Sequence, residues 1–210
     1  MVCYQAVIKL EGEAVMRVRR YVVMAIFGAS VAAAWAATPA AAQFTPETDR
    51  FITAVKEDKG AVATELIRSR PTIVNARDYN GDTGLLIAIN RRDEEWTLFL
   101  LSQGADPNVA ARDGQRPLIA AARLGFTTAV AQLLARNAKV DAENKMGETA
   151  LIAAVQQRHA PVVRLLLAAG ANPDKADSAA GYSARDYAKR DARSREILRL
   201  LEANKPKPKA

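Results

Sequence analysis

Thiol and imidazole chemistry has almost nothing to work with in this chain of 210 residues, which holds one cysteine, Cys3, and one histidine, His159. A Ser-His or Cys-His nucleophile needs an imidazole beside the attacking atom. A structural or catalytic metal needs several His, Cys or clustered carboxylate ligands. Neither set occurs at suitable spacing, so no catalytic, cofactor-binding or metal-binding residue is predicted, and no glycine-rich phosphate loop of the required form is present. Aromatic residues make up 6% of the chain, too few for a bulky globular core, and small Ala and Leu side chains packing thin helices are expected instead. Charge of one sign is not concentrated along the repetitive part of the chain, where acids and bases mix; the whole sequence has 30 basic and 23 acidic residues, with a net of +7. Such mixing gives no basic stripe for phosphate backbones and argues against nucleic acid as a partner.

One long apolar run is present, near the start. Met16-Arg-Val-Arg-Arg20 is basic, Tyr21 to Ala37 carries no charge, and Ala40-Ala-Ala42 precedes Gln43. The order reads as an N-terminal extension and signal peptide over 1–42, with cleavage after Ala42 and export to the periplasm or outside. An uncleaved anchor is the second reading, and stable membrane insertion after cleavage is not expected. Arg19-Arg20 leaves general secretion and twin-arginine export both open, and translation is expected to begin at Met1 or at Met16. Cleavage removes Cys3 with four basic and two acidic residues, leaving a net charge of +5 and no possible disulfide.

The rest of the chain is periodic. Gly81, Gly114 and Gly147 stand 33 residues apart and Gly181 follows after 34. In register lie Gly81-Asp-Thr-Gly-Leu-Leu-Ile-Ala88, Gly114-Gln-Arg-Pro-Leu-Ile-Ala-Ala121 and Gly147-Glu-Thr-Ala-Leu-Ile-Ala-Ala154, and Leu100-Leu101 recurs as Leu133-Leu134, Leu166-Leu167 and Leu200-Leu201. A unit of this size with two short amphipathic helices cannot bury its apolar faces alone and must stack on its neighbours.

These residues resemble the ankyrin repeat, whose period is 33 residues with a β-turn and two helices per unit. Gly81-Asp-Thr-Gly-Leu-Leu stands at the family's Gly-x-Thr-Pro-Leu-His, and Gly104-Ala-Asp-Pro-Asn108 at its Gly-Ala-Asp-Val-Asn. The family's histidine is replaced by Leu86, Ile119 and Ile152. Since that histidine ties neighbouring loops by hydrogen bonds, more apolar contact is expected there. The resemblance implies an all-α solenoid of about five helix-turn-helix units with short β-hairpin loops. It divides as a repeat domain over 43–203, with an N-terminal cap at about 45–76, full repeats at about 78–109, 111–142 and 143–175, and a C-terminal cap at about 177–203. A Lys/Pro tail over 204–210 follows.

Predicted interiors are Leu85, Ala88, Leu100 and Leu101, then Leu118, Ala121, Leu133 and Leu134, then Leu151, Ala154, Leu166 and Leu167. Trp96 and Phe99 add bulk to the first full unit. Arg185, Asp186 and the charges after them are expected to face water on the last unit. His159 falls between two helices and reads as structural.

Function follows from the resemblance, which implies a non-enzymatic protein-binding module, expected to be monomeric. Its contact face would be the hairpin tips and first helices: Tyr79, Asn80, Asp82, Asn90 and Arg91, then Arg112, Asp113, Gln115 and Arg123, then Lys145, Met146, Glu148 and Gln156, with Tyr182 and Arg190 on the cap. A secreted effector or inhibitor of a host or competitor protein is the alternative within the binding class. An enzyme with an unrecognised site is the alternative outside it. Asp82, Asp113 and Glu148 could in principle form a carboxylate pair, but they recur at hairpin positions and are expected to be solvated tips.

Overall fold

The computed structural model describes residues 46–204. The signal peptide expected over 1–42, its expected cleavage point, the choice of start, Cys3 and the tail beyond Asn204 lie outside the described residues.

Ten α-helices follow one another in pairs among the described residues: α1 (Pro46–Lys56) and α2 (Gly60–Ser69), α3 (Gly84–Asn90) and α4 (Glu94–Ser102), α5 (Pro117–Leu124) and α6 (Thr127–Ala135), α7 (Ala150–Gln156) and α8 (Ala160–Ala168), α9 (Ala184–Arg190) and α10 (Arg195–Ala203). A 3-10 turn, Pro71–Asn75, closes the first pair. The sequence reading has two helices there and omits this turn. First helices pack on the first helices of adjacent units, and from α4 onward second helices do likewise, giving the expected all-α solenoid. No described helix is long and apolar enough to cross a membrane.

Local chemistry starts each unit. Thr83 and Thr149 are N-caps whose hydroxyls accept the amides of Leu86 and Ile152, satisfying donors that a helix start leaves without partners. Ser183 and Asp186 form a reciprocal capping box on α9. Pro117 and Pro161 occupy the first turns of α5 and α8, where a missing amide donor costs little. Gly84 takes the equivalent place on α3 for a steric reason: a Cβ there would approach Phe51 and Val55 of α1 to 3.3 Å.

The hairpins before these helices are minimal. Isolated bridges join Arg77 to Thr83 and Ala176 to Ser183, while the two middle hairpins close through Ala111 N to Gln115 O at 2.8 Å and Asn144 N to Glu148 O at 3.1 Å. Gly147 has φ +71°, and a Cβ on it would lie 2.5 Å from Ser178 N of the next hairpin. Both the backbone conformation and the close approach therefore require glycine.

Core and ladder together join the units. Leu86, Ile119 and Ile152, which replace the histidine, are all but fully buried, and burying each such side chain contributes roughly 1.5–3 kcal/mol. On the opposite loops a polar ladder repeats: Asn75 Oδ1 accepts from Asp106 N at 2.8 Å, Asn108 Oδ1 from Lys139 N at 2.8 Å and Asp141 Oδ1 from Asn172 N at 2.9 Å. Of the predicted interior residues, Leu134 is half-buried and packs at the core's edge, as does Phe99, while Trp96 is buried.

His159 has the structural role expected of it. It begins α8 with Nε2 3.2 Å from the Arg123 carbonyl, a contact that requires the proton on Nε2. Gly125 makes room, since a Cβ there would come within 2.6 Å of the imidazole.

Arg185 departs from expectation. Placed with the water-facing charges on sequence grounds, it is buried at the column occupied by Leu85, Leu118 and Leu151. Its Nη1 donates to Leu201 O at 2.5 Å, Nη2 to Asn204 O at 3.3 Å and Nε to Asp174 Oδ1 at 2.6 Å. With no further described unit beyond α10, the guanidinium covers the carbonyls at that helix's end and engages Asp174, the next member of the ladder column.

Replacing Arg185 by Ala is expected to cost about 1–3 kcal/mol, because acceptors and Asp174 lose their buried donor. Urea unfolding measures the loss, and amide exchange should rise first in α10.

Candidate functional site

The fifteen residues predicted for the contact face fall into two groups and a set of bystanders. Around the first two hairpins, Tyr79 is 66% exposed, with Lys56 Nζ 5.8 Å from its ring centre. Lys56 is held by Asp78 at 3.0 Å. Asp78 is buried, and its Oδ1 accepts the amides of Asn80 and Asp82, which fixes the first hairpin. The two hairpins are joined by Arg112 N donating to Asn80 O at 3.2 Å. Asn80, Asp82, Ala111, Arg112 and Asp113 line a polar crevice of about 370 Å³ between them. Burial pushes the Asp82 carboxyl up from 3.8, Asp78 and Asp113 push it further, and Lys56 opposes them.

The second group spans the last units. Arg123 Nη2 meets Glu148 Oε2 at 2.5 Å, and the same oxygen accepts from Asn144 Nδ2 at 2.8 Å. Gln156 bonds the Tyr187 hydroxyl, which donates to Asp177 Oδ2 at 2.6 Å. Tyr187 and Tyr182 meet edge to face with centroids 5.6 Å apart, and the Arg190 guanidinium lies 4.5 Å from the centre of the Tyr182 ring while donating to its hydroxyl. Burial pushes the Asp177 carboxyl up, but the bonds from Tyr187 and from the amides of Ala180, Gly181 and Tyr182 outweigh it and hold the group below the usual carboxylate range. The bond to Asp177, then burial, raises the Tyr187 phenol above 10.0.

Glu148 is the clear correction. The reading of it as a solvated tip fails: it is buried, with 6% exposure, because Arg123 and Asn144 both pull its carboxylate inward. Arg91 is exposed but already occupied, donating to Val55 O and Lys56 O at the end of α1. Gln115 is half-buried, as is Tyr182, and Asn90, Arg112, Asp113, Gln156 and Arg190 are exposed. Lys145 and Met146 stand at the third tip, Met146 with 55% exposure. Among the described residues no group of three or more His, Cys, Asp or Glu is placed to hold a metal ion.

Tyr187, Asp177, Asn144 and Asp78 escaped the sequence reading. A column comparison carries their signal: Asp78, Asn144 and Asp177 stand at one hairpin position and only Ala111 breaks the series.

The sequence has known relatives. The family model described as ankyrin repeats in three copies matches residues 85–177. Over those residues the chain carries ankyrin repeats. It is 34% identical over 129 residues to a B-cell lymphoma 3 protein homolog of Mus musculus, a match covering 61% of this chain and 28% of that protein. It is 32% identical over 114 residues to a putative ankyrin repeat-containing protein of Treponema pallidum, covering 54% of this chain and 38% of the other. It is 31% identical over 107 residues to the human transient receptor potential cation channel subfamily A member 1, covering 50% of this chain and 10% of the channel. The chain thus spans well under half the length of each of these relatives. What they share with it is the ankyrin array, a protein–protein interaction module.

Asp82 supplies a pH signature for this array. Its folded carboxyl titrates above the unfolded 3.8, so its ionised form opposes folding, fully above the raised value and not at all below 3.8. Asp82→Asn is therefore expected to raise the urea midpoint at neutral pH. The gain should fade as pH falls through the raised value towards 3.8, as urea titrations at several pH values would measure.

Proposed function

We propose that this ankyrin array is an exported, non-enzymatic adaptor that binds one protein across its hairpin tips and first helices. The observation that carries the reading is the pairing of exposed apolar side chains with a fixed base. Tyr79 and Met146 stand 66% and 55% exposed on tips whose backbones are pinned by buried Asp78 and by Asn144. Large side chains held ready on a rigid frame bring contact area with little ordering cost on binding. Arg190, spread over Tyr182, adds a third anchor of the type that dominates protein interfaces.

Export rests on the basic, apolar and small-residue order from Met16 to Ala42. A reporter fused to the C-terminus and active only outside the cytoplasm should be active, and the processed chain should begin at Gln43. A reporter that stays silent would remove export from the proposal.

Binding is tested by Tyr79→Ala, Met146→Ala and Arg190→Ala combined, since none of the three side chains enters the core. The circular dichroism of the variant should match the parent. Capture of a crosslinked partner from the exported fraction should fall at least about tenfold, the result of losing roughly 1.4 kcal/mol or more. Unchanged capture would overturn the assignment of this face.

A further inference from the structure

Away from the hairpin tips lies a groove whose lining the repeat scaffold does not demand. It runs between the start of α2 and the first turns of α4, has a volume of about 310 Å³, and is lined by Asp58, Gly60, Thr64, Glu95, Trp96 and Phe99. The floor is aromatic: Trp96 and Phe99 meet edge to face, with centroids 5.5 Å apart and planes at 89°. Trp96 is nearly buried and Phe99 half exposed. At the equivalent columns the inner units carry Ala129 and Val162 for Trp96, and Gln132 and Leu165 for Phe99. Stacking therefore works without the aromatic pair.

The rim is acidic. Asp58 accepts the Trp96 indole N–H, which sets both side chains in place. Glu95 makes no hydrogen bond or ion pair among the described residues, and Asp58 has no cationic partner there. Glu57 nearby is already neutralised by Lys59 at 2.5 Å. The N-termini of α2 and α4 each bring roughly half a positive charge. Asp58, Glu94 and Glu95 exceed that, so the groove is negative on a chain whose net charge is +7. At the mouth, Gly60 leaves the space open, since a Cβ on it would meet no atom within 4 Å. The Thr64 hydroxyl is turned to the Gly60 carbonyl at 2.8 Å and offers the groove no competing charge.

An aromatic floor with a carboxylate rim suits one chemistry: a cation on an apolar stem, whose methylenes cover the rings while the charge meets ring face and carboxylate. We propose that this groove holds a lysine or arginine side chain from a basic segment of a partner protein, on a surface distinct from the hairpin tips. The site stands independently of whether the tip face binds a protein.

The test uses the full chain with Trp35→Phe, which leaves Trp96 as its single tryptophan. Its fluorescence is titrated with a blocked Gly-Gly-Lys-Gly-Gly peptide and with the same peptide acetylated at Nζ. A saturable change in Trp96 emission is expected with the free lysine, and binding about threefold to tenfold weaker after acetylation, which removes the charge and the cation–π contact. Glu95→Gln should weaken the lysine peptide by a similar factor, and Gly60→Leu should abolish its effect by filling the mouth. Phe99→Ala, a change at a half-exposed residue, should weaken it as well and serves if Gly60→Leu does not fold. Tyr79→Ala on the other face should leave the titration unchanged. Equal response to both peptides, no saturation with the lysine peptide, or full affinity in Glu95→Gln would overturn the proposal.

Discussion

No helical hairpin in this chain can keep water off its own apolar faces, and every other feature depends on that. A pair such as α5 and α6 buries Leu118, Ile119, Ala120, Ala121, Ala122, Val130 and Leu133 only because α3, α4, α7 and α8 lie on either side. The interface between units is thus the fold's unit of stability. It also explains the side chains: a thin helix pressed between two others has room for Ala and Leu, and Gly84 yields even its Cβ to Phe51 and Val55. Trp96 and Phe99 bring larger rings beside the opening of α2.

Apolar contact fixes how close units come but only loosely fixes their register, and polar side chains supply that. The Asn75, Asn108 and Asp141 ladder sets each loop against the next, and arginines reach between units to helix ends: Arg91 to Val55 and Lys56 carbonyls, Arg92 to that of Leu124, Arg136 to that of Leu101. Helix C-terminal carbonyls carry partial negative charge, so a guanidinium there satisfies an acceptor and the dipole together. Part of the chain's basic excess is therefore architectural. Arg185 carries the device furthest, inside the core at a column that elsewhere holds leucine.

The fold was legible because period 33 is a property of the chain as a string: glycine columns, paired leucines and Thr caps all recur at fixed offsets. The face was less legible, for a physical reason. Which polar residues are free depends on partners in adjacent units, and single-column reasoning does not see them. Glu148 looked like Asp82 in register, yet Arg123 one unit back and Asn144 in its own hairpin draw it inward. Arg185 looked like its charged neighbours until the end of α10 was seen to need donors. Tyr187, which ties the last hairpin to α9 through Asp177, announces itself only with that partner.

Sorting residues by whether their polar atoms are consumed inside the array separates scaffold from surface better than exposure does. Arg91 and Lys56 are both exposed, yet each is committed to a neighbour, so substituting either would loosen the units along with any contact outside. Lys145 and Met146 have no such duty, and Tyr79 has only the Lys56 ammonium over its ring, so all three can change at little structural cost. Those uncommitted side chains sit on backbones that the committed ones hold still, Asp78 beneath Tyr79 and Asn144 beneath Met146. The array thus fixes where its free residues stand while leaving their identity open, and a frame with that division of labour can present different partners with different tips.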